Sequence, residues 1–344
     1  MLKQQQELFY KKYNKHMTTN EIENLVEKII ILQGLYFQDS DIRHKYDDKE
    51  YWRNVSDGLH VMGGAKNNRI NLMTNNENND MKASIKSISN QGYTVITENK
   101  KKEVLYMKIQ NTIKNLKERG WPPSFIFIYD EIWYDIILNT FDIYKLLLQD
   151  DQCYMESDLN CWSLRKEKII NNNNYVSTNN TKVKDGTSNN NIINYIGQSF
   201  NQSHRDMKYS NCHNIDTEEF TSLNCWIPLN PQGATSKNGC MHVVPIEYDE
   251  FFYDYTHLYH MQTSKTLKFM DDGEDKIDYT KKIVCNAGDI CTWVPSLIHW
   301  GGNCQHDCVE PRISIAMTFR KSNAKRSVYG ANNVKGGDGI ESNT

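Results

Sequence analysis

The sequence lacks the features that mark membrane proteins and strongly charged binding proteins. Its 40 basic and 43 acidic residues give a formal net charge of −3, so no strong field favours nucleic acid or an anionic membrane. The longest apolar runs, such as Phe125–Ile128, are far too short to span a bilayer. The polar first residues also predict no signal peptide. We therefore expect a cytoplasmic protein with no membrane span and no nucleic-acid partner.

The cysteines lack the regular spacing of a disulfide framework. There are nine of them, an odd number, which favours free thiols in a reducing compartment. Cys304, His306 and Cys308 could be part of a zinc site, but no second cysteine pair lies nearby at suitable spacing. Free loop thiols are the preferred interpretation of this cluster.

The domain organisation follows from changes in composition. Residues 1–85 are predicted to be a helical, variable region, with one helix over Glu21–Gln33. Residues 86–325 are predicted to form the main domain, and 326–344 a flexible tail. Within the domain, 171–191 is so rich in Asn that we expect a disordered insertion.

The main domain is predicted to be mainly β with flanking helices. Lys101–Arg119 and Asp130–Leu148 have helical periodicity, Ser124–Tyr129 is interpreted as a buried strand, and Asn67–Asp80 as an exposed loop. Further strands are predicted at Gly92–Ile96, Asn160–Leu164, Ser222–Pro228, Cys240–Val244, Lys282–Cys285, Asp289–Val294 and Arg312–Phe319. Short strands at this spacing indicate a sandwich or barrel.

His204, Asp206 and His299 are the candidate metal ligands. Residues i and i+2 of a strand face the same side, so His204 and Asp206 can reach one metal while Arg205 points away. His299 lies just beyond the predicted strand Asp289–Val294, where a short loop could bring it to the same rim. Two imidazoles and one carboxylate form the facial triad of non-haem Fe(II) oxygenases.

Arg312 and Ser314 are candidates for binding a carboxylate. They lie two residues apart in a predicted strand, so an arginine fork and a hydroxyl would point the same way. Considered alone, Arg312 would more often form a surface salt bridge. His213 is the main rival to the three metal ligands, but it has no carboxylate two positions away.

Several blocks of sequence together resemble one family. From about residue 92 to 320 the chain is similar to the phytanoyl-CoA dioxygenase (PhyH-like) family of Fe(II)/2-oxoglutarate oxygenases. The blocks are Ser203–Asp206, Cys225–Leu229, Asn238–Pro245, Gly288–His299 and Arg312, with Gly92–Tyr93, Gly120–Pro123 and Cys161–Trp162 upstream.

The resemblance implies a double-stranded β-helix, or jelly-roll, core. It implies that His204, Asp206 and His299 bind iron, that Arg312 binds the distal carboxylate of 2-oxoglutarate, and that Trp226 lines the cosubstrate pocket. Ser314 would assist Arg312.

The implied activity is that of a dioxygenase using Fe(II), 2-oxoglutarate and O2. It would hydroxylate a small organic or lipid-like substrate and release succinate and CO2.

The sequence departs from the family pattern in a longer interval between His299 and Arg312, and in Ile246–Asp249 after Pro245. A catalytically silent jelly-roll that binds a metal or ligand, and a cupin-type metalloenzyme without 2-oxoglutarate, are the alternatives.

Overall fold

Nine strands form two antiparallel sheets in the part of the chain that the structure describes. This computed structural model describes residues 48–62, 77–97, 102–156, 159–164, 203–271 and 279–324. The strands are β1 Tyr93–Ile96, β2 Tyr154–Met155, β3 Asn160–Ser163, β4 Ser222–Pro228, β5 Met241–Val243, β6 Lys281–Ile283, β7 Ile290–Trp293, β8 His299–Gly301 and β9 Ile313–Arg320. The large sheet has the order β1-β7-β4-β9-β2, with β3 also paired to β9, and the small sheet is β6-β5-β8. The predicted jelly-roll core is confirmed.

Helices precede and flank these sheets. They are α1 Lys49–Val55, α2 Glu77–Gln91, α3 Glu103–Glu118, α4 Leu138–Leu148, α5 Tyr209–Cys212 and α6 Thr263–Asp271. A 3-10 helix spans Pro123–Ile128, and a π-helical segment, Ile132–Ile137, leads directly into α4. None of the described helices is long and apolar enough to cross a membrane.

The outer face of the large sheet is covered by helices. Phe319 of β9 stacks on Tyr144 of α4 at 4.1 Å between ring centroids, and it meets the edge of Phe141 at 5.0 Å. Because successive strand residues alternate between faces, Thr318 points to the opposite, inner face. This burial of large rings against α4 leaves the inner face of the sheet for the functional side chains.

The inner face of the large sheet looks toward the small sheet. In the register of β4 with β9, Asn224 is opposite Thr318, so both side chains lie on this face. Trp293 of β7 is opposite Asn224, and its ring lies 4.9 Å from that of His299 in the small sheet. The space between the two sheets is therefore where candidate ligands from both can meet.

Helix α1 packs onto the helical layer through its tryptophan. Asp48 caps the helix by accepting hydrogen bonds from two backbone amides of its first turn, as short polar side chains commonly do. Trp52 packs against Trp121 and Phe125, with ring centroids 4.9 and 5.3 Å away. Its carbonyl accepts a hydrogen bond from the hydroxyl of Tyr129 at 2.9 Å. Helix α1, which lies in region 1–85, therefore packs directly against the main domain.

One predicted strand is wrong. Ser124–Tyr129 was expected to be a buried strand, whereas Pro123–Ile128 forms a 3-10 helix. The segment is buried as expected, but a short apolar run does not by itself distinguish a strand from a buried helix. Pro123 cannot donate a backbone hydrogen bond, and its fixed φ suits the first turn of a helix.

The other boundaries agree with the sequence to within a few residues. Predicted helix Lys101–Arg119 corresponds to α3, and Gly120 follows it with a φ of 81°. The predicted loop Asn67–Asp80 is wrong at its end, because α2 begins at Glu77; acidic residues there favour a helix start. The predicted helix Glu21–Gln33, the 171–191 insertion and the 326–344 tail lie outside the described residues.

Candidate metal centre

His204, Asp206 and His299 come together between the two sheets. One ligand atom from each lies within 4.8 Å of the other two. The Nε2 atom of His204 is 3.5 Å from one carboxylate oxygen of Asp206, and Nε2 of His299 is 3.3 Å from the other. His299 is almost fully buried, and the Asp206 side chain is 38% exposed. Within the described ranges this is the one such group of three potential ligands.

The backbone holds the three side chains in register. His204 and His299 exchange two backbone hydrogen bonds of 3.0 Å, and the amide of Asp206 donates to the carbonyl of Pro295 at 2.9 Å. The structure corrects one local expectation, because His299 begins strand β8 instead of lying in a loop. Its Nδ1 atom bonds the carbonyl of Leu297 at 2.9 Å, which orients the ring so that Nε2 faces Asp206.

The charge of the Asp206 carboxylate is favoured by its neighbours. Burial alone would raise the pKa of this carboxyl, but the charges and hydrogen bonds of His299 and His204 outweigh that effect and hold the pKa well below its usual range. An ionised carboxylate beside two imidazoles is a donor set that suits a divalent metal of the first transition row.

Arg205 points away from the candidate metal ligands, as the spacing predicted. Its guanidinium forms a salt bridge of 2.7 Å with Asp249, and both side chains are 0% exposed. It also donates to the carbonyls of His260 and Ser296 at 2.5 Å each. Asp249 belongs to Ile246–Asp249, the segment after Pro245 in which the sequence departs from the family pattern. That segment therefore supplies the buried partner of Arg205.

We expect Arg205→Met to destabilise the protein by roughly 3–5 kcal/mol, because it leaves Asp249 as an unpaired buried charge. The free energy of unfolding in urea measures this loss. The double variant Arg205→Met with Asp249→Leu removes both charges and should recover a large part of it. A single-variant loss below about 1 kcal/mol, the value typical of exposed pairs, would contradict the assignment.

Arg312, Ser314 and Trp226 also meet on the inner face. The guanidinium carbon of Arg312 lies 5.2 Å from the Trp226 ring, and one of its nitrogens donates to the carbonyl of Gly239. Arg312 is 3% exposed, and burial lowers its pKa to about 10, so it remains charged at neutral pH. Among the described residues no carboxylate pairs with it, and its Nε and the Ser314 hydroxyl are buried without hydrogen-bond partners. These groups fit a buried anion.

Three further features of the sequence lie outside the group of candidate metal ligands: His242, Trp162 and the pair Cys304 and Cys308. His242 lies opposite Trp300 and stacks on it at 5.2 Å, on the face of the small sheet opposite to His299. Trp162 lies opposite Ser314 in the register of β3 with β9, which places it on the inner face of the large sheet. The sulfur atoms of Cys304 and Cys308 are 2.7 Å apart.

His213, the rival ligand, is not part of the metal-ligand group. Its ring stacks on Tyr209 at 3.9 Å, and its Nδ1 lies 3.3 Å from the Tyr209 carbonyl. Burial lowers the pKa of His213 to about 4, although the hydrogen bond to Tyr209 opposes this shift. The ring is therefore neutral in the folded protein near pH 7.

His213 predicts a loss of stability in mild acid. Between its ordinary pKa of about 6.5 and about 4 the unfolded chain takes up a proton that the folded chain does not, so stability falls as pH falls. From pH 7.5 to pH 5 this amounts to about 2 kcal/mol. His213→Phe keeps the ring stack and should remove that part of the pH dependence, measured by urea unfolding at both values. The exposed His306→Phe serves as control and should retain the wild-type slope.

Asn224 is a residue at the site that the sequence did not single out. Its amide nitrogen donates to Asp206 at 2.5 Å, and its amide oxygen accepts from the Thr318 hydroxyl at 3.0 Å. A signal was present, since Asn224 is a polar residue in an apolar predicted strand, two positions before Trp226 and so on the same face.

The fold and the three converging side chains define a jelly-roll protein with a candidate mononuclear metal centre. Residues 139–308 match the family model "Phytanoyl-CoA dioxygenase (PhyH)", a range that contains His204, Asp206, His299 and Trp226. Residues 139–308 therefore form a domain of the phytanoyl-CoA dioxygenase family, whose members depend on Fe(II) and 2-oxoglutarate.

Comparisons with individual proteins give only distant likenesses. No curated protein matches the sequence. A similar solved structure is SnoN, a non-heme alpha ketoglutarate dependent epimerase from nogalamycin biosynthesis, at 12% identity and a TM-score of 0.42, covering 76% of this chain and 93% of SnoN. Another is EctD from S. alaskensis with 2-oxoglutarate and 5-hydroxyectoine, at 14% identity and a TM-score of 0.42, covering 79% and 89%. Identities this low carry no information on the reaction or substrate of this chain.

Proposed function

We propose that this protein is an Fe(II)- and 2-oxoglutarate-dependent dioxygenase that hydroxylates a small organic or lipid-like substrate and releases succinate and CO2. His204, Asp206 and His299 would bind the iron, and Arg312, Ser314 and Trp226 would bind the cosubstrate. The match of residues 139–308 to the family model supports the class of reaction. The geometry of the two groups of residues supports the assignment of roles.

The donor set fits iron. Two imidazole nitrogens and a carboxylate within 4.8 Å of one another occupy one face of a metal and leave the other face open, as in non-haem Fe(II) oxygenases. Iron bound there would supply the redox chemistry that couples O2 to the decarboxylation of 2-oxoglutarate and the oxidation of substrate.

The buried Arg312 is the observation that carries the proposal. A guanidinium removed from water is costly unless an anion pairs with it, yet no carboxylate of the described residues does so. A dicarboxylic cosubstrate would provide that anion through its distal carboxylate, with the Ser314 hydroxyl as a second donor. The Trp226 ring, against which Arg312 packs, would confine the aliphatic part of the cosubstrate.

The same observation separates this proposal from its alternatives. A cupin-type enzyme without 2-oxoglutarate has no use for a buried cation on the inner face. A silent module would be favoured if the long interval after His299 had displaced Arg312 to the surface. Arg312 is instead buried against Trp226, on the face that also carries Asn224, the neighbour of Asp206.

We also propose a cytoplasmic location. The nine cysteines are an odd number without the spacing of a disulfide framework, which suits a compartment that keeps thiols reduced.

The function is tested by succinate formation. Purified protein with Fe(II), 2-oxoglutarate and O2 should produce succinate, slowly alone and faster with a hydroxylatable substrate found by screening small organic and fatty acyl compounds. Mass spectrometry should show that the product has gained one oxygen atom, derived from O2. Succinate that never exceeds the level given by Asp206→Ala would refute the dioxygenase assignment.

A further inference from the structure

Asn224 links the candidate metal centre to the rigid part of the large sheet. Its side chain lies between two partners, with the amide nitrogen 2.5 Å from Oδ2 of Asp206 and the amide oxygen 3.0 Å from the Thr318 hydroxyl. Asn224 itself is 5% exposed. The Asp206 side chain is far more exposed, and the hydrogen bond from Asn224 connects it to strand β4 of the large sheet.

The backbone of Asn224 is fixed as firmly as its side chain. Its carbonyl accepts hydrogen bonds from the hydroxyls of Tyr144 at 2.9 Å and Thr292 at 2.7 Å. Tyr144 and Thr292 are both fully buried. The amide that faces Asp206 is therefore held from helix α4, strand β7 and strand β9 together, which limits its freedom to rotate or withdraw.

The chemistry of the three groups fixes which way the amide faces. An ionised carboxylate only accepts hydrogen bonds, so the NH2 end of Asn224 must face Asp206, and its oxygen is then free to accept from the Thr318 hydroxyl. The reverse orientation would place two oxygens in contact at the carboxylate. Asp206 thus sets the orientation in which Asn224 acts as a donor, and the Thr318 hydroxyl, by donating to the amide oxygen, holds it there.

We propose that Asn224 is a positioning residue that occupies Oδ2 of Asp206 and so makes this carboxylate a one-oxygen metal ligand through Oδ1, with Thr318 holding the amide in place. This rests on the proposed function, in which Asp206 binds iron. A carboxylate that used both oxygens would take a coordination position that 2-oxoglutarate or O2 needs. Outer partners of this kind orient ligands and tune metal affinity.

The test compares three variants with wild type. Asn224→Leu removes the donor at similar size, Thr318→Val removes the hydroxyl that holds the amide oxygen, and Thr318→Ser restores it. Ser222→Ala is the matched control, since Ser222 is buried on the same face of β4 and its hydroxyl has no hydrogen-bond partner among the described residues. Each protein is titrated anaerobically with Fe(II) and then 2-oxoglutarate, following the visible charge-transfer band, and its thermal stability is recorded separately.

We expect Asn224→Leu to weaken Fe(II) affinity about 10- to 100-fold and to shift the 2-oxoglutarate band. Thr318→Val should weaken Fe(II) affinity about 2- to 10-fold, and Thr318→Ser and Ser222→Ala should match wild type. In the Asn224→Leu background, Thr318→Val should have no further effect on Fe(II) affinity, because Thr318 acts through the amide. A role confined to stability would lower the melting temperature without any of these changes.

The outcomes separate this inference from the proposed function. If wild type gives no band, the proposed function fails. If wild type gives the band, and Asn224→Leu binds Fe(II) and 2-oxoglutarate with wild-type affinity and an unshifted band, the function stands and the positioning role of Asn224 is overturned.

Discussion

Asp206→Ala is expected to abolish binding of Fe(II) at this site, with a loss of affinity exceeding the roughly 10- to 100-fold that removal of a single outer partner costs. The variant leaves two imidazoles, which lie with their ring centroids 4.3 Å apart, and no anionic ligand. Formation of succinate should fall to background. Anaerobic titration with Fe(II), monitored by calorimetry, measures the affinity for Fe(II) directly.

The reason is electrostatic as well as geometric. Asp206 is the one carboxylate of the three-residue group, and its two oxygens lie 3.3 and 3.5 Å from the two histidine nitrogens. Asp307→Ala is the matched control, because Asp307 pairs with the exposed Lys237 and lies outside the group. We expect the control to bind Fe(II) as wild type does. Retention of tight Fe(II) binding by Asp206→Ala would place the metal elsewhere.

Arg312→Met is expected to weaken 2-oxoglutarate binding by about 100- to 1000-fold, which corresponds to losing one partner of a buried charge pair. The change replaces the guanidinium by an uncharged side chain that still packs against Trp226. Fe(II) affinity should remain within a few-fold of wild type, since Arg312 is not among the three converging ligands. The measurement is a 2-oxoglutarate titration of the Fe(II)-loaded protein.

A cosubstrate analogue makes this prediction specific. The compound 2-oxovalerate keeps the 2-oxo acid that would bind iron but lacks the distal carboxylate. Wild type should prefer 2-oxoglutarate to 2-oxovalerate strongly, and Arg312→Met should bind the two almost equally. Ser314→Ala, which removes the second donor, should reduce the preference by about 10-fold or less.

An unchanged preference in Arg312→Met would show that Arg312 does not contact the distal carboxylate. The buried cation would then need another anion, and the cupin-type enzyme without 2-oxoglutarate would become the better account of the site.

Much of the candidate site could be predicted from the sequence, because several of its residues lie two positions apart in extended segments. The spacing of His204 and Asp206, and that of Arg312 and Ser314, places each pair on one side of an extended segment. The strand boundaries of β4 and β9 follow from apolar runs of the right length. Local patterns of this kind need no knowledge of the tertiary fold.

The parts that could not be predicted depend on contacts between distant segments. Asn224 lies 18 positions from Asp206 and 94 from Thr318 along the chain. Pairing of β4 with β9 brings Asn224 to Thr318, and the segment that carries Asp206 reaches Asn224 only in the folded protein. The partner of Arg205 is 44 positions away, at Asp249. The predicted strand Ser124–Tyr129 is instead a 3-10 helix. The apolar run correctly indicated a buried segment, but an apolar run of this length does not determine the backbone conformation.

The most direct measurement is an anaerobic titration of the metal-free wild-type protein with Fe(II) and then 2-oxoglutarate, recorded by visible absorption. The proposed function predicts a metal-to-ligand charge-transfer band that saturates with one 2-oxoglutarate per iron and is lost in Asp206→Ala. Iron binding without this band would contradict the use of 2-oxoglutarate, and a protein that binds no iron would be a silent jelly-roll module.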